Sequence, residues 1–315
     1  MSAAGALIIA SPEVYEEACF SVPAVRALHH AGYVVSVATP EELVPLWETV
    51  TEIAEVIPHR GSARKLAKVV GRFAHSLAWE EGSAAVAFSK AGIAKRSGPP
   101  AEKLAQLLTD PLVIEHKVGP AVHRVRHYLL IAEKLGALPF EAVNFQSPPR
   151  PAPDGVTRIG IAPGSDFGPS SEWPLACFQE LTQHLGGCEL VIFPSPGHAK
   201  PAQVLAKELG TRAHLAPTDL AEQLPLLAVC DLLIGNDGAV PHLAAHLGTR
   251  CLTLFGPNDP SWKRPLGTSH KVVHHVVPCS SCFLAKCPLD HRCMGEISVA
   301  EVFQEATSFF PAPHA

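Results

Sequence analysis

The sequence has no apolar run that approaches the ~18 to 20 residues needed to cross a bilayer as a helix. It also lacks an excess of positive charge, with 25 Lys and Arg against 30 Asp and Glu and a formal net charge of −5. A broad nucleic-acid-binding surface normally needs such an excess, so this class is not favoured. Residues 1–5 contain no Lys or Arg ahead of the apolar residues 6–10, which indicates no secretory signal. We therefore expect a cytoplasmic protein.

Charged residues are also scarce, at 17% of the chain, whereas hydrophobic residues make up 47%. This composition excludes a disordered chain and predicts a compact globular protein. A length of 315 residues is enough for two α/β domains that each bury a core. We find no internal repeat. The nine cysteines are expected to be reduced thiols or metal ligands in such a chain, not disulfides.

The first half of the sequence begins with one βαβ pattern. Strands are predicted over residues 5–10 and 33–38, and a helix over 23–30 that stops at Gly32. Residues 41–90 have looser apolar spacing, with helical stretches near 65–77. A long helix is predicted over 118–135, ended by Gly136.

Residues 147–155 contain four prolines, which remove backbone donors and fix φ, so neither a helix nor a central strand is expected there. This run is predicted to link domains at 1–146 and 156–315. Beyond it, short apolar runs alternate with helical patterns, as in a doubly wound parallel sheet. Strands are expected at 157–162, 188–193, 212–215 and 231–235, and helices at 175–185, 199–209 and 220–229.

The segment 234–255 is the most informative part of the sequence. It has the pattern of a buried strand, a polar turn, a short helix, a Gly stop and a second buried strand. Asp237 lies at the turn, and His242 follows about one helical turn later. At the carboxyl edge of a parallel sheet, such a turn directs backbone N–H groups and an imidazole at one anionic ligand.

This segment resembles the Asn-Asp-(Ser/Thr)-Gly-x-x-His-(Leu/Ile/Val)-Ala-Ala motif of family 9 glycosyltransferases. These are the heptosyltransferases that build the inner core of lipopolysaccharide. The usual hydroxyl residue is Gly238 here, and the usual Gly is Ala239. The motif is matched at Asn236, Asp237, His242, Leu243, Ala244 and Ala245.

The resemblance implies a GT-B fold, an α/β architecture of two Rossmann-like doubly wound domains that face a central cleft. Domain 1–146 would bind the acceptor, and domain 156–315 the nucleotide sugar. The implied activity is inverting transfer of a heptose or related sugar from a nucleoside diphosphate donor of the ADP-heptose type to a lipid-linked saccharide of the lipopolysaccharide core type. The family's chemistry requires no metal or other cofactor. At most peripheral contact with the inner membrane is implied, and no nucleic acid.

A second family motif, Pro-Gly-Ala…Phe-Gly-Pro-Ala-Lys-Arg-Trp-Pro, corresponds to residues 163–174. The Lys that meets the donor's diphosphate in the family is Ser171 here, and the Arg is Glu172. The site is therefore expected to be short of one positive charge, which a Lys restored at position 171 would supply. Donor binding would then depend on the backbone of Gly164, Ser165, Gly238 and Ala239. A plain strand-ending turn is the alternative interpretation of residues 163–164.

The family's proposed general base is the Asp of a Gly-Asp pair, six residues before a Pro-Ala-x-x-x-Ala-Leu helix. That helix motif is present from Pro23, and Glu17 stands six residues before it, with Glu16 in place of Gly. By this resemblance Glu17 would take the proton of the acceptor hydroxyl. A solvated acidic loop over residues 13–17 is the alternative.

Residues 214–222 resemble a family segment that runs past the donor's adenine, which makes Thr218 a candidate donor contact. A helix N-cap at Thr218 or Asp219 explains the same segment without a ligand, and we favour that interpretation.

Four cysteines near the end of the sequence, Cys279, Cys282, Cys287 and Cys293, have spacing that could wrap one structural Zn²⁺. Similar cysteines occur in the tails of many family members, and reduced thiols or a redox-labile pair are the alternatives.

The substitutions at Glu16, Ser171 and Gly238 leave a second function open. They also fit a catalytically silent paralogue that binds a sugar nucleotide or a glycan. A third reading is an epimerase of the same fold, which would act on a nucleotide sugar without an acceptor.

Overall fold

The computed structural model of the protein describes residues 5–115 and 119–310. The chain divides into two compact units, Met1–Gln146 and Ser147–Ala315. In the part of the chain that is described, no helix combines the length and the hydrophobicity that a membrane span requires.

The first unit contains a six-stranded sheet in which all described strand pairs are parallel. The strands are β1 (Ala6–Ala10), β2 (Val34–Pro40), β3 (Ile53–His59), β4 (His75–Leu77), β5 (Lys95–Gly98) and β6 (Asp110–Pro111). Their order is β3-β2-β1-β4-β5-β6. The order reverses between β1 and β4, and a doubly wound sheet forms its ligand crevice at such a point.

The helices of the first unit cover this sheet and pack a core of aliphatic and Phe side chains. They are α1 (Tyr15–His30), α2 (Val44–Glu48), α3 (Ala63–Val70), α4 (Ser83–Lys90) and α5 (Val125–Lys134). Helix α5 packs against α1.

Helix α1 begins eight residues earlier than predicted, so the start at residue 23 was wrong. Pro23 lies inside the helix, where it removes one backbone hydrogen bond. Burial of the helix from Glu17 to Leu28 offsets this loss. Glu16 and Glu17 therefore belong to the first helical turn, where carboxylates interact favourably with the helix dipole, and not to a loop.

Two other predictions for this unit were wrong in part. The helical stretch at 65–77 is α3 followed by the strand β4. The described helix before Gly136 begins at Val125, and residues 119–124 are not helical. Residue 118, where the prediction started, lies outside the described residues. Gly136 does end the helix, with a φ of +86° that favours glycine.

The second unit contains another six-stranded sheet, again with every described pair parallel. Its strands are β7 (Arg158–Ala162), β8 (Glu189–Ile192), β9 (Ala213–Leu215), β10 (Leu232–Asn236), β11 (Arg250–Phe255) and β12 (Lys271–His274). The order β12-β11-β10-β7-β8-β9 places the switch point between β7 and β10. The predicted doubly wound parallel sheet is confirmed, with strand ends within one residue of those expected.

The helices of the second unit complete its α/β layers. They are α6 (Leu175–His184), α7 (Lys200–Leu209), α8 (Leu220–Val229), α9 (Ala239–His246), α10 (Pro260–Lys263), α11 (Arg292–Gly295) and α12 (Val299–Thr307). The core includes Trp173, Phe178 and side chains of the central strands. The close packing of the central strands favours glycine at position 160, because a Cβ there would lie 2.8 Å from Leu233 Cδ1.

Candidate functional site

The switch point of the second unit brings together the two motifs found in the sequence. Strands β7 and β10 are neighbours, with Ala162 opposite Gly235. The turn after β7 therefore lies beside the turn after β10. A Cβ at Gly235 would lie 2.8 Å from the Ala162 Cβ, so glycine permits this close approach.

Asn236 ties these two turns together. Its Nδ2 donates to the Pro163 carbonyl at 2.6 Å, and its Oδ1 accepts from the Trp173 backbone N–H at 3.0 Å. The side chain is fully buried. Asn236, which we predicted to contact the donor, thus has a supporting role in this structure.

Asp237 is the centre of a buried polar group. Its Oδ2 accepts from Asn258 Nδ2 at 2.5 Å, and its Oδ1 lies 3.5 Å from Lys263 Nζ. A carboxylate oxygen of Asp237 and a ring nitrogen of His242, in the first turn of α9, lie within 4.8 Å of each other. None of these four side chains is more than 3% exposed. Asp237 and His242 are therefore brought together as the sequence predicts.

The start of α9 already has an anionic partner. Asp166 Oδ1 accepts from the Ala239 backbone N–H at 2.7 Å. A Cβ at Gly238 would lie 2.7 Å from the same oxygen, so the absence of a side chain at this position leaves room for Asp166. The replacement of the family's hydroxyl residue by Gly238 thus has a steric reason in this chain.

In the loop 163–173, a second side-chain carboxylate accepts a hydrogen bond from a backbone N–H group. Glu172 Oε1 accepts from the Ser165 N–H at 3.2 Å and lies 2.8 Å from His198 Nε2. Ser165 Oγ donates to the Asp237 carbonyl at 2.6 Å. The backbone N–H groups of Ser165 and Ala239, which we predicted for the diphosphate, are thus hydrogen-bonded to side-chain carboxylates here.

Ser171 lies in the same loop and is buried in this structure. The residue is 0% exposed, and its hydroxyl has no hydrogen-bond partner among the described residues. A Lys at position 171 would therefore have its charge buried in a packed core position, and its effect on donor binding stays a prediction.

The segment 279–293, which contains the four cysteines and is called the tail below, packs against this loop. Ser170 Oγ donates to the Leu284 carbonyl at 2.5 Å, and a Cβ at Gly168 would lie 2.5 Å from the Ala285 carbonyl oxygen. His291 Nε2 lies 2.7 Å from the Ser170 carbonyl oxygen. The tail therefore supports the loop that contains Ser171 and Glu172.

The thiols of the tail do not form a zinc site in this structure. A tetrahedral Zn²⁺ with four thiolates needs sulfurs about 3.8 Å apart, yet no three of them lie within 4.8 Å of one another. All four are free thiols. The predicted Zn site at Cys279, Cys282, Cys287 and Cys293 is therefore not assembled.

The segment around Thr218 is explained by a helix cap. Asp219 Oδ1 accepts from the Ala221 N–H at 2.8 Å at the start of α8. Asp219 was one of the two residues expected at this position.

Glu17 occupies the switch point of the first unit, near the carboxyl ends of β1 and β4. It is 5% exposed, accepts from the Tyr128 hydroxyl at 2.6 Å and lies 2.5 Å from Arg124 Nε. Burial raises the pKa of Glu17 above its ordinary range, and the Tyr128 hydrogen bond and the Arg124 charge oppose this increase. Burial also raises the pKa of Glu80, which follows β4.

A groove of about 600 Å³ lies next to these carboxylates at the ends of β4, β5 and β6. Most of its lining is apolar, and three carboxylates and one imidazole lie among the apolar residues. Its polar residues are Glu80, Glu81, Glu102 and His127, and Trp79 and Val113 contribute to the apolar part.

Sequence reasoning missed Asn258 and Lys263 in the second unit, and Arg124 and Tyr128 in the first. Asn258 and Lys263 follow β11, the strand beside β10. Polar residues that follow a buried strand lie at the sheet edge where ligands bind, so the sequence could have indicated both residues. Tyr128 is 111 residues from Glu17, and no local pattern indicates that pair.

Comparison with known proteins agrees with this geometry. The model of glycosyltransferase family 9 (heptosyltransferase) matches residues 114–292. Lipopolysaccharide heptosyltransferase 2 of Escherichia coli is 26% identical over 284 residues, 77% of this chain and 80% of that protein.

Two solved structures share the fold. The E. coli ADP-heptose lipopolysaccharide heptosyltransferase II structure has a TM-score of 0.80 and 22% identity, over 96% of this chain and 98% of that chain. The structure of E. coli heptosyltransferase WaaC with ADP has a TM-score of 0.72 and 16% identity, over 98% of this chain and 100% of that chain. The predicted GT-B fold is thereby confirmed. With the family model spanning more than half of the sequence, the chain belongs to glycosyltransferase family 9, the heptosyltransferase family.

Proposed function

We propose that the protein transfers a heptose or a related sugar from a nucleoside diphosphate donor of the ADP-heptose type to a saccharide of the lipopolysaccharide core type. Family membership and the named E. coli relative support this reaction class. The observation that carries the proposal is the buried group of Asp237, His242 and Lys263 at the switch point of the second unit, where α/β sheets bind ligands.

The second unit is proposed to bind the donor at this sheet edge. The imidazole of His242 can donate a hydrogen bond to an anionic diphosphate, and the turns at 164–165 and 238–239 approach the same point. Asn236 holds the two turns together and is not proposed to touch the donor, whereas the buried Ser171 stays a candidate contact. Thr218 stays a candidate contact beside the Asp219 cap.

Glu17 of the first unit is proposed as the general base. In the transfer, the acceptor hydroxyl oxygen forms a bond to the anomeric carbon while the bond from that carbon to the diphosphate oxygen breaks. The bonding electron pair leaves with the nucleoside diphosphate, and the hydroxyl proton passes to the carboxylate of Glu17. Attack opposite the leaving group inverts the anomeric configuration.

The surroundings of Glu17 suit this role. A raised pKa makes the carboxylate a stronger base, and Tyr128 and Arg124 fix its two oxygens. The neighbouring groove has apolar walls with carboxylates that can accept hydrogen bonds from sugar hydroxyls, which supports its assignment to the acceptor.

Thermal-shift screening of nucleoside diphosphate sugars tests the donor half of the proposal. A ligand at 100 times its Kd adds about 2.7 kcal/mol of stability, which is readily detected. We expect a nucleoside diphosphate heptose to raise the Tm. If no nucleoside diphosphate or its sugar raises the Tm, the donor assignment is wrong.

His242→Ala is expected to weaken nucleoside diphosphate binding, because it removes the imidazole within 4.8 Å of Asp237. Loss of one hydrogen bond to a charged phosphate should raise the Kd measured by calorimetry about ten- to hundred-fold. His184→Ala, at an exposed position at the end of α6, is the matched control and should leave the Kd unchanged. Equal Kd values for wild type and His242→Ala would exclude this contact.

Tyr128→Phe is expected to shift the acid limb of the pH–rate profile to higher pH. The Tyr128 hydrogen bond lowers the pKa of Glu17, so its loss raises that pKa and the ionised base appears only at higher pH. The rate at a pH well above this limb should change less than the rate below it. A profile with an unmoved acid limb would mean that Glu17 does not control it.

A further inference from the structure

The loop that contains a lysine in the family has no cation of its own here. Position 171 is a buried serine, and position 172 is Glu172, which is held by the Ser165 N–H and His198. Asp166 adds a second carboxylate at the start of α9. With Asp237 nearby, a diphosphate at this edge would meet carboxylates from both turns, so it needs a compensating positive charge.

Lys263 brings such a charge to the same place from a different segment. It ends α10, which follows β11, and the start of α10 is capped by Asp259 through the Ser261 N–H at 2.8 Å. Its Nζ lies 3.5 Å from Asp237 Oδ1 and 5.3 Å from the centre of the Phe167 ring. Phe167 lies in the loop 163–173, so the ammonium reaches the loop from which the lysine is missing.

The burial of Lys263 requires an explanation beyond general stability. Burial removes the hydration of the ammonium, and a buried ion pair such as the one with Asp237 at 3.5 Å is often no more stabilising than apolar residues of similar volume. Asp237 also accepts a closer hydrogen bond from Asn258 on its other oxygen. A cation held this way at a sheet edge is pre-organised for an anionic ligand, because its ordering does not have to occur during binding.

We infer that Lys263 binds the phosphate oxygens of the donor's diphosphate and takes over the charge that the family places at position 171. This inference rests on the proposed function, since it names the residue that recognises the donor's diphosphate.

The test measures the affinities of ADP, AMP, adenosine and inorganic pyrophosphate by calorimetry, for wild type, Lys263→Met and Lys263→Arg. Lys263→Met should weaken the binding of ADP and of pyrophosphate about ten- to hundred-fold and leave the affinity for adenosine unchanged. Lys263→Arg keeps the charge and should retain most of the affinity. The dependence of ADP affinity on salt should also become shallower in Lys263→Met.

Lys271→Met is the matched control, because this half-exposed lysine pairs with Glu305 at the end of the sheet. It should not change any of the four affinities. If Lys263→Met does not fold, the comparison of Asp237→Asn with Asp237→Asn plus Lys263→Met replaces it, since the double variant removes both charges of this ion pair.

The outcomes separate the inference from the proposed function. ADP binding that survives Lys263→Met unchanged, or an equal loss for ADP and adenosine, overturns the inference alone. A wild-type protein that binds neither ADP nor any other nucleoside diphosphate overturns the proposed donor and the inference together.

Discussion

Replacement of Glu17 by Gln should reduce the rate of sugar transfer about 10²- to 10⁴-fold, the usual contribution of a general base. Glutamine keeps the size of the side chain and can still accept from the Tyr128 hydroxyl, but it cannot take a proton. Donor affinity should not change, because the second unit is proposed to bind the donor. Initial rates and calorimetric Kd values measured on one preparation give both results.

Glu133→Gln, an exposed carboxylate on α5, is the control for this substitution and should transfer at the wild-type rate. Full activity of Glu17→Gln would move the role of base to another carboxylate of the same region, with Glu16 and Glu13 as candidates. Loss of donor affinity together with rate would show that the substitution acts on the fold and not on proton transfer.

Asp237→Ala is expected to lower the free energy of unfolding by about 3 to 5 kcal/mol, the cost of removing one member of a buried ion pair. Asp237 is 0% exposed, and its removal leaves Lys263 without the Asp237 carboxylate and Asn258 without its acceptor. Urea denaturation monitored by circular dichroism measures the change.

The double variant Asp237→Ala plus Lys263→Met removes both charges and should recover part of the lost stability. Asp290→Ala removes a carboxylate from a solvent-exposed ion pair with Arg292 and should leave stability essentially unchanged. If Asp237→Ala is no less stable than Asp290→Ala, the buried ion pair is not a structural element of the site.

The second unit was predictable because its central strands are buried on both faces. Strand β10, for example, is buried at every position, so it appears in the sequence as a continuous apolar run that ends in Asn236. The first unit gave weaker signals. Strand β3 is mostly exposed or half-buried, and β4 has only three residues, so neither strand produces a clear hydrophobic periodicity in the sequence.

The site was predictable only where its residues are close in sequence. Asp237 and His242 share one turn and one helix, and the sequence places them correctly. Lys263 lies on another segment, and its contact with Asp237 depends on the order of β10 and β11 in the sheet. Ser171 is buried in a loop against which the distant tail packs through Ser170. Such contacts are set by tertiary packing and not by local pattern.

The most direct test of the central claim is an acceptor-dependent transfer assay. The purified protein is incubated with a nucleoside diphosphate heptose, with and without a saccharide of the lipopolysaccharide core type, and the products are examined by mass spectrometry and anomeric NMR. We expect nucleoside diphosphate to be released only when acceptor is present, together with a saccharide extended by one heptose of inverted configuration. Binding of the donor with no acceptor-dependent release would contradict the account and indicate a silent sugar-nucleotide binding protein.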